Sequence, residues 1–481
     1  MKKISEDLIP TRQKDRKTGS IGYFNIWIGL AIIIASFSVG GEAVYEVNLQ
    51  QTIIASFVGC ALLGVIITLI GDVGMEHGIA FPTYCRSVLG SKGLWILNVI
   101  RIIFGVIWFG IQTYYGALAI NVIVAEFVGF DNWMIWFVVF AAVQVINTAM
   151  GFKSMERFAN FAAPSIILIG IFMVFRLFGV SESEGIQVWS RVLESDASSG
   201  LPQGFMVVMI LNMCFWADAT AESETWTRYI RSVPGEKNFI RRNKAALAGH
   251  MLALPLAETF MVFIGALSTI VVGDYNPINA IHSITSNPVV LSLLLLMVIL
   301  AQWSTNNTAN LMPAAISIVS LTKSRIKYPL GVIIVGVLGW ITRPWVVMDN
   351  INVFLSVLGS IWASVIGLTL ADYYVIRKRR LNIPELFDEE TDNQFTFFHG
   401  WNWAGIIALV VSLTTCYFLS DYTVFVGAIV TFVVYLVLAK FWFFKKYPQA
   451  ETTAEGDALL GTSVDREWMY DEENNKIYSS R

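Results

Sequence analysis

Charge is scarce in this sequence of 481 residues, and cysteine and histidine are scarcer still. Only 14% of the residues are Lys, Arg, Asp or Glu, against about a quarter in soluble globular domains, whereas 55% are hydrophobic. The four cysteines and four histidines show no spacing typical of a metal site or a disulfide framework. A soluble fold is excluded, because so few polar residues cannot cover the surface of so apolar a chain.

Hydrophobic segments long enough to cross a bilayer recur along the whole chain. About 20 apolar residues span the hydrocarbon core, and runs of this kind predict an all-α polytopic membrane protein with twelve transmembrane helices. The third and eighth spans are long enough to tilt or to extend into the cytoplasm. The predicted spans are residues 22–41, 51–71, 95–124, 133–150, 158–180, 204–222, 249–272, 287–320, 329–342, 351–374, 402–420 and 422–444.

The positions of the basic residues test this count independently. With twelve spans both termini lie on one side, and 29 of the 33 Lys and Arg residues fall on that side or at its boundary. The opposite loops 42–50, 125–132 and 273–286 contain none. Because cytoplasmic loops carry the excess of basic residues, both termini are predicted to be cytoplasmic, in a multi-pass protein of the plasma membrane.

Three longer polar segments lie outside the predicted spans. Residues 1–21 are polar, so no cleavable signal peptide is predicted. Residues 223–248 should form an amphipathic connector with solvated basic side chains, and the acidic tail 445–481 should have little fixed structure. The basic residues lie in short loops rather than in one stripe, so no nucleic-acid partner is expected.

Polar residues within four spans indicate a ligand-lined or water-lined interior, because polar groups are costly in hydrocarbon. In the first span, Ser36, Ser38 and the pair Gly40–Gly41 either let the backbone leave helical geometry or allow close helix packing. In the third span, Trp108 and Gln112 share one helix face. They suit a flat polar ring; the alternative is an indole packed on a neighbour and a glutamine bonded across helices.

The sixth span carries an acid at a depth where hydrocarbon surrounds it. Asp218 follows Trp216 closely, and such a carboxyl group needs a partner, a proton or a ligand. Glu222 and Glu224 lie nearer the predicted cytoplasmic end, where solvation or pairing with Arg228 would also account for them.

The eighth span contains the polar run AQWSTNNTAN at residues 301–310. Ala301, Ser304 and Thr305 fall on one helix face. Two hydroxyl groups and a nearby carbonyl are hard oxygen ligands that suit a small cation such as Na⁺, and carbonyls of a broken first span would complete the shell. Hydrogen bonding between helices is the alternative.

Six motifs in order along the chain resemble those of the nucleobase:cation symporter-1 family, which includes hydantoin, allantoin, uracil and cytosine permeases. The resemblance implies a five-plus-five inverted repeat followed by two further helices. Its parts would be a cytoplasmic segment 1–21, repeats 22–180 and 204–374, helices 11 and 12 within 402–444, and a tail 445–481. The motifs are DLIPT at 7–11, the loop 78–86, WFGIQ at 108–112, AQWSTNNTAN at 301–310, ADYYVIR at 371–377 and GWNW at 400–403.

The resemblance also implies the residues of a binding site. A flat heterocycle would stack between indoles of the third and sixth helices, with amides of the third and eighth helices beside it, and Na⁺ would lie between the first and eighth helices. The implied substrate set is Trp108, Gln112, Phe215, Trp216, Asp218 and Asn310, and the implied cation set is Ala31, Ile34, Ala301, Ser304 and Thr305.

The end of the sixth helix departs from the family. Members commonly read Pro-Asp-x-Thr-Arg there, whereas this chain has ETWTR at 224–228, and Asp218 replaces a residue that is usually small and neutral. An acid in the pocket favours a donor-rich or cationic ligand, because an ionised carboxylate only accepts hydrogen bonds. Asp218 would equally serve as a protonation site.

The function expected from these features is import of a nucleobase or related planar nitrogen heterocycle by Na⁺ symport, in a monomer without a cofactor. The alternatives are proton-coupled transport of a cationic or vitamin-like heterocycle, such as a thiamine precursor or pyridoxine, and, more remotely, a membrane sensor. An enzyme is not expected, because no catalytic constellation is evident. A channel would not need an aromatic clamp.

Overall fold

The structure, a computed structural model, describes residues 8–33, 35–193, 203–231, 236, 238–348, 351–388, 392–453 and 468–479. Within these ranges seven helices are long and apolar enough to span a membrane, a bent pair makes an eighth, and four shorter apolar helices lie between them. The predicted class, an all-α polytopic membrane protein, is confirmed. The twelve units are α1 (Ser20–Ala31 and Ala35–Glu46), α2 (Leu49–His77), α3 (Phe81–Val128), α4 (Trp133–Ala149), α5 (Phe152–Glu184), α6 (Gln203–Phe215), α7 (Lys244–Val272), α8 (Pro288–Leu321), α9 (Tyr328–Ile341), α10 (Ile351–Leu370), α11 (Trp403–Phe418) and α12 (Thr423–Lys446).

Short elements connect or extend these units. A π-helical turn, Ala371–Ile376, continues α10, and another, Asn306–Leu311, interrupts α8 within its polar run. The remaining short helices are Gln13–Asp15, Ala217–Ala221, Glu224–Thr227, Phe239–Arg242, Pro277–Ile284, Pro344–Met348, Ile383–Phe387, Ser420–Tyr422 and Ala450–Thr453, and two strands are β1 (Trp468–Asp471) and β2 (Lys476–Ser479).

The first span is broken, and its two halves are bent by 60°. The break follows Ala31, before the small residues at which a departure from helical geometry was considered. Gly40 instead faces α7, where a Cβ would overlap the backbone of Val262, and Gly265 of α7 is pressed against the backbone of Phe37 in the same way. The span is therefore broken, but upstream of the small residues, which are helical and permit close packing with α7.

The helix α3 begins earlier than its predicted span. Gly90 has a φ of 76°, which kinks the chain and separates the segment 81–89 from the membrane-crossing part. A Cβ at this glycine would also overlap the backbone of Gly400, so both the conformation and the close approach require glycine. The interpretation of residues 78–86 as a loop is wrong from Phe81 onwards.

The helices pack in two groups around the centre of the molecule. The second half of α1 packs on α7, which also packs on α2, and α2 packs on α6. In the other group α3 packs on α4, α8 and α9, and α8 packs on α9. Helix α5 packs on both α7 and α8 and so joins the two groups. Among the described residues α6 has few backbone neighbours in α3, so side chains bridge these two helices.

The basic connector 223–248 is solvated as predicted at Arg231, Arg241 and Lys244, but not at Arg228 or Arg242. Arg242 is 6% exposed and its guanidinium pairs with Asp72, and with Glu76 at 2.8 Å. Arg379, beyond α10, contacts the same Asp72 at 2.8 Å. The acids at the end of α2 thus offset the cost of burying these cations. They also hold the segments that follow α6 and α10 against the end of α2.

The tail contains a β-hairpin, so the expectation of little fixed structure is wrong for residues 468–479. Strands β1 and β2 pair antiparallel, with Trp468 opposite Ser479. Trp468 and Ile477 are buried, and β2 packs on the short helix Ile383–Phe387. Hydrogen bonds from Asn474 hold the pKa of Asp471 below its ordinary value and stabilise the turn. Alternating apolar residues around a polar turn are the signal for this hairpin.

The chain after α12 also completes a buried ion pair. The Arg377 guanidinium lies 2.7 Å from Asp372 and 3.0 Å from Glu451, and all three side chains are fully buried. Glu451 also accepts a hydrogen bond from the backbone N–H of Asn382 at 2.9 Å. The segment after α12 is therefore structurally part of the C-terminal end of α10.

Replacing Glu451 with Gln should lower the free energy of unfolding by about 2 kcal/mol, because one charge-assisted contact to a buried guanidinium is lost while Asp372 remains. Equilibrium denaturation of the purified protein measures this loss. Glu473→Gln, in the exposed hairpin turn, is the matched control and should change the stability by less than about 0.5 kcal/mol. Equal effects of the two variants would show that Glu451 is not part of the folded unit.

Candidate functional site

Aromatic side chains from α1, α3, α6 and α10 converge at the centre of the protein. The Trp108 ring lies edge-on to Phe215 at 5.5 Å and to Phe354 at 5.2 Å between centroids. Phe215 in turn contacts Trp216 at 5.3 Å, and Trp216 contacts Trp27 at 6.3 Å. Among the ring contacts of the described residues, Trp108 and Trp216 meet only through Phe215, so the two predicted clamp residues lie in one aromatic cluster.

A break in the sixth helix places Trp216 there. The helix α6 ends at Phe215, Trp216 has a non-helical φ of −102° with ψ near 9°, and a short helix, Ala217–Ala221, follows. This break was not predicted from the sequence, because residues 205–233 contain neither proline nor glycine. Small alanines on both sides of Asp218 were the only local signal.

The two amides predicted for the site are both buried. Gln112 is 1% exposed, and its Oε1 has no hydrogen-bond partner among the described residues. The alternative interpretation, a glutamine bonded across helices, therefore finds no support. Asn310 is 2% exposed and donates from Nδ2 to Oδ1 of Asn306 at 2.7 Å.

Asp218 is 7% exposed and accepts a hydrogen bond from the backbone N–H of Ala219 at 2.7 Å. The positive charge of Arg101 of α3 acts on it, but the Arg101 guanidinium hydrogen-bonds Glu222 and the carbonyl of Ala309 instead. Asp218 is thus a buried acid without an ion-pair partner among the described residues, a setting that favours a ligand or a proton.

Glu222 and Glu224 are not solvated, as had been considered, and are at most 1% exposed. Glu222 pairs with Arg101 at 2.7 Å and 2.6 Å, rather than with Arg228. Arg101 lies two helical turns from Trp108 on α3, so the ion pair bridges α3 and the segment after α6 directly beside the aromatic cluster. A lone arginine within an apolar span was a signal that sequence reasoning passed over.

Oxygen atoms of α1 and α8 meet at the break in α1. The hydroxyl of Thr305 lies 2.9 Å from the carbonyl oxygen of Leu30, 3.1 Å from that of Gly29 and 3.5 Å from that of Ile32. Ser304, 3% exposed, lies over Gly29, and its hydroxyl has no partner among the described residues. These hard oxygens, at the negative end of a helix dipole, fit a small cation.

The remaining residues of the predicted cation set are Ala31, Ala301 and Ile34. Ala31 and Ala301 are fully buried. The carbonyl of Ala31 accepts from the backbone N–H of Ile33 at 3.1 Å, and Thr305 contacts its neighbours instead. Ile34 lies outside the described residues. The cation set stays a prediction, with Ser304 and Thr305 its best-placed members.

A second buried acid lies beside the cluster and was missed. Glu258 of α7 is fully buried and accepts a hydrogen bond from the Ser36 hydroxyl at 2.7 Å. The indole N–H of Trp216 faces the same carboxyl group without reaching hydrogen-bond geometry. Glu258 thereby links α7 to the second half of α1 and to the predicted clamp. Its signal in the sequence was a single glutamate in an apolar span.

Comparison with protein families gives one model that covers most of the chain. Residues 10–443 match the model described as permease for cytosine/purines, uracil, thiamine, allantoin. The hydantoin permease of Microbacterium maritypicum is 26% identical over 91% of this chain and 89% of its own length. The allantoin permease of Bacillus subtilis (strain 168) is also 26% identical, over 91% of this chain and 93% of its own length.

Solved structures share the fold. The transporter Mhp1, described as a nucleobase-cation-symport-1 family member in a closed conformation with bromovinylhydantoin bound, gives a TM-score of 0.86 at 26% identity. That match covers 93% of this chain and 98% of the solved one. The inward-facing conformation of Mhp1 gives 0.81 at 25% identity, over 93% of this chain and 96% of that one.

Proposed function

From the premise that the chain belongs to the nucleobase:cation symporter-1 family, and is therefore a multi-pass membrane transporter rather than an enzyme, we propose that it imports a nucleobase or related planar nitrogen heterocycle together with Na⁺. The observation that carries the proposal is the meeting of Ser304 and Thr305 with the carbonyls of the broken α1. This oxygen-rich point lies on the same two helices that supply Trp27 and Asn310 to the central cluster.

The mechanism needs no covalent chemistry. The heterocycle lies against Trp108 and Trp216 and forms hydrogen bonds with Gln112 and Asn310. Na⁺ binds to the α1 carbonyls in place of the hydrogen bond from Thr305, whose hydroxyl turns its oxygen toward the ion. Bound Na⁺ fixes α1 relative to α8, and so joins the two helix groups. Cation and substrate together favour closed states over open ones to the extent that they bind those states more tightly.

The domain organisation and orientation belong to the same proposal. Helices α1–α5 and α6–α10 form two inverted repeats, with α11 and α12 outside them, and a central site between repeats suits alternating access. Supporting this division, the first helix of each repeat is broken: α1 after Ala31, and α6 at Trp216, beyond which the short helix Ala217–Ala221 continues. Both termini face the cytoplasm of the cell in which the protein occupies the plasma membrane, since the basic segments share one face.

A second candidate is proton coupling of a cationic heterocycle, favoured by the buried carboxyl groups of Asp218 and Glu258. Reconstituted vesicles separate the two. Uptake that needs a Na⁺ gradient at constant pH supports Na⁺ symport, whereas uptake driven by a pH gradient in Na⁺-free buffer supports proton coupling. Counterflow without either gradient identifies a carrier and contradicts a sensor or channel function.

Replacing Thr305 with Val should lower the apparent affinity for Na⁺ at least about tenfold, because it removes a hydroxyl ligand worth about 1.4 kcal/mol while preserving the side-chain shape. Na⁺-dependent thermal stabilisation of the purified protein measures the affinity. The control is Thr308→Val, because the Thr308 hydroxyl bonds to its own helix, at the Ser304 carbonyl. Unchanged Na⁺ dependence in the Thr305 variant contradicts this cation site.

A further inference from the structure

A relay of amides fixes the orientation of one side chain in the proposed substrate site. Nδ2 of Asn306 lies 3.2 Å from the backbone carbonyl of Phe109, 3.1 Å from the hydroxyl of Thr113 and 2.8 Å from Oε1 of Gln144. A backbone carbonyl only accepts hydrogen bonds, so the nitrogen of Asn306, and not its oxygen, must face Phe109. Gln144 is fixed likewise, since its Nε2 donates to the carbonyl of Phe140 at 3.2 Å.

The orientation passes from Asn306 to Asn310 one helical turn away. With its nitrogen committed, Asn306 presents Oδ1 to Asn310, which must then donate from Nδ2 at 2.7 Å. The Asn310 carbonyl oxygen is thereby turned away from the relay, and it has no hydrogen-bond partner among the described residues. Asn310 therefore presents an acceptor to a ligand, and cannot exchange it for a donor without breaking the relay.

Two further acceptors lie on neighbouring helices. Asp218 uses one carboxyl oxygen on the N–H of Ala219, which leaves the other, and an ionised carboxylate has no donor to offer. Gln112 contributes a buried Oε1 without a partner among the described residues. Helices α3 and α8 and the short helix Ala217–Ala221 thus each carry an acceptor that is not paired with a donor among the described residues.

We propose that this site selects planar heterocycles that carry an exocyclic amino group, as in aminopyrimidines and aminopurines, over their oxo analogues. The inference rests on the proposed function and specifies its substrate class. An amino group has two N–H donors, one for the fixed Asn310 oxygen and one for Asp218, and the bond to the ionised carboxylate is charge-assisted. An oxo group at the same position sets oxygen against oxygen and leaves buried acceptors unpaired.

The experiment compares ligands that differ only in this group. Cytosine and uracil form one pair, and adenine and hypoxanthine another; their dissociation constants for the purified full-length protein are measured by calorimetry in saturating Na⁺. The amino member of at least one pair should bind ten- to hundredfold more tightly, as about one or two unpaired buried groups require. In Asp218→Asn, which restores a donor beside Asn310, this ratio should fall about tenfold.

The control is Asp274→Asn, the same chemical change in the loop after α7, which should leave the ratio unchanged. Equal or tighter binding of the oxo members, or an unchanged ratio in Asp218→Asn, overturns the inference and leaves the transport function standing. Failure of all four heterocycles to bind, with Na⁺ still stabilising the protein, overturns this substrate class; counterflow of hydantoin and allantoin in reconstituted vesicles then tests the proposed import separately.

Discussion

Replacing Arg101 with Met should lower the free energy of unfolding by about 3–5 kcal/mol, because the substitution leaves the Glu222 carboxyl group buried without its cation. Arg101 is fully buried and Glu222 is 1% exposed, and two nitrogens of the guanidinium contact the carboxylate at 2.7 Å and 2.6 Å. The same change removes a donor to the Ala309 carbonyl. Transport should fall below detection, since the pair bridges the two helix groups.

The double variant Arg101→Met with Glu222→Met separates the effect of an unpaired buried charge from the effect of altered side-chain packing. Removing both charges should restore most of the stability, because well-packed apolar side chains replace a buried ion pair at little net cost. Lys153→Met is the matched control: Lys153 pairs with Glu156 at 2.8 Å but is 53% exposed, and its loss should cost less than about 1 kcal/mol. Denaturant titration measures all three. Equal stability of the Arg101 and Lys153 variants would contradict the buried pair.

Replacing Asn306 with Leu should cost about 3 kcal/mol or more and should abolish discrimination between amino and oxo ligands. The change leaves the Gln144 oxygen and the Asn310 amide nitrogen without these partners in the protein interior, and each such group costs about 1–3 kcal/mol. The Phe109 carbonyl keeps its hydrogen bond within α3. Once released, the Asn310 amide can turn either its oxygen or its nitrogen toward a ligand.

Unfolding titration and the paired ligand affinities report these two effects separately. The control is Asn279→Leu, which removes one exposed side-chain bond to Asp274, 2.8 Å long, and should change the stability by under about 1 kcal/mol. A stability loss below about 1 kcal/mol in the Asn306 variant would mean that the relay does not hold Asn310. In that case the selectivity would have to arise at Asp218 alone.

The sequence predicts most of the helical framework because its signal is local. Apolar length located the spans, and for α4, α8 and α9 the predicted limits differ from the observed ones by at most one residue. The kink at Gly90 was not anticipated, since it depends on the approach of the distant Gly400 backbone. Nor was the hairpin, whose stability comes from packing on the helix Ile383–Phe387 rather than from strand length.

The residues of the candidate site could be predicted from the sequence, but their hydrogen bonds and ion pairs could not. Trp108, Gln112, Trp216 and Asn310 were all expected near one another, and the structure places the two indoles in one cluster. The role of Asn306 could not be read, because its partners come from α3 and α4, more than 150 residues away in sequence. Glu222 was misassigned for the same reason, since its cation lies 121 residues earlier, within an apolar span.

The contact between Arg377 and the segment after α12 sets an order on biogenesis. Arg377 and Gln449 are 72 residues apart, so at about 5–20 residues per second the ribosome needs roughly 4–14 s to deliver the partner after the arginine is made. During that interval the guanidinium has only Asp372 to pair with, and the tail cannot yet dock. This corner of the protein must therefore close after all twelve helices have been synthesised, as a late step of maturation.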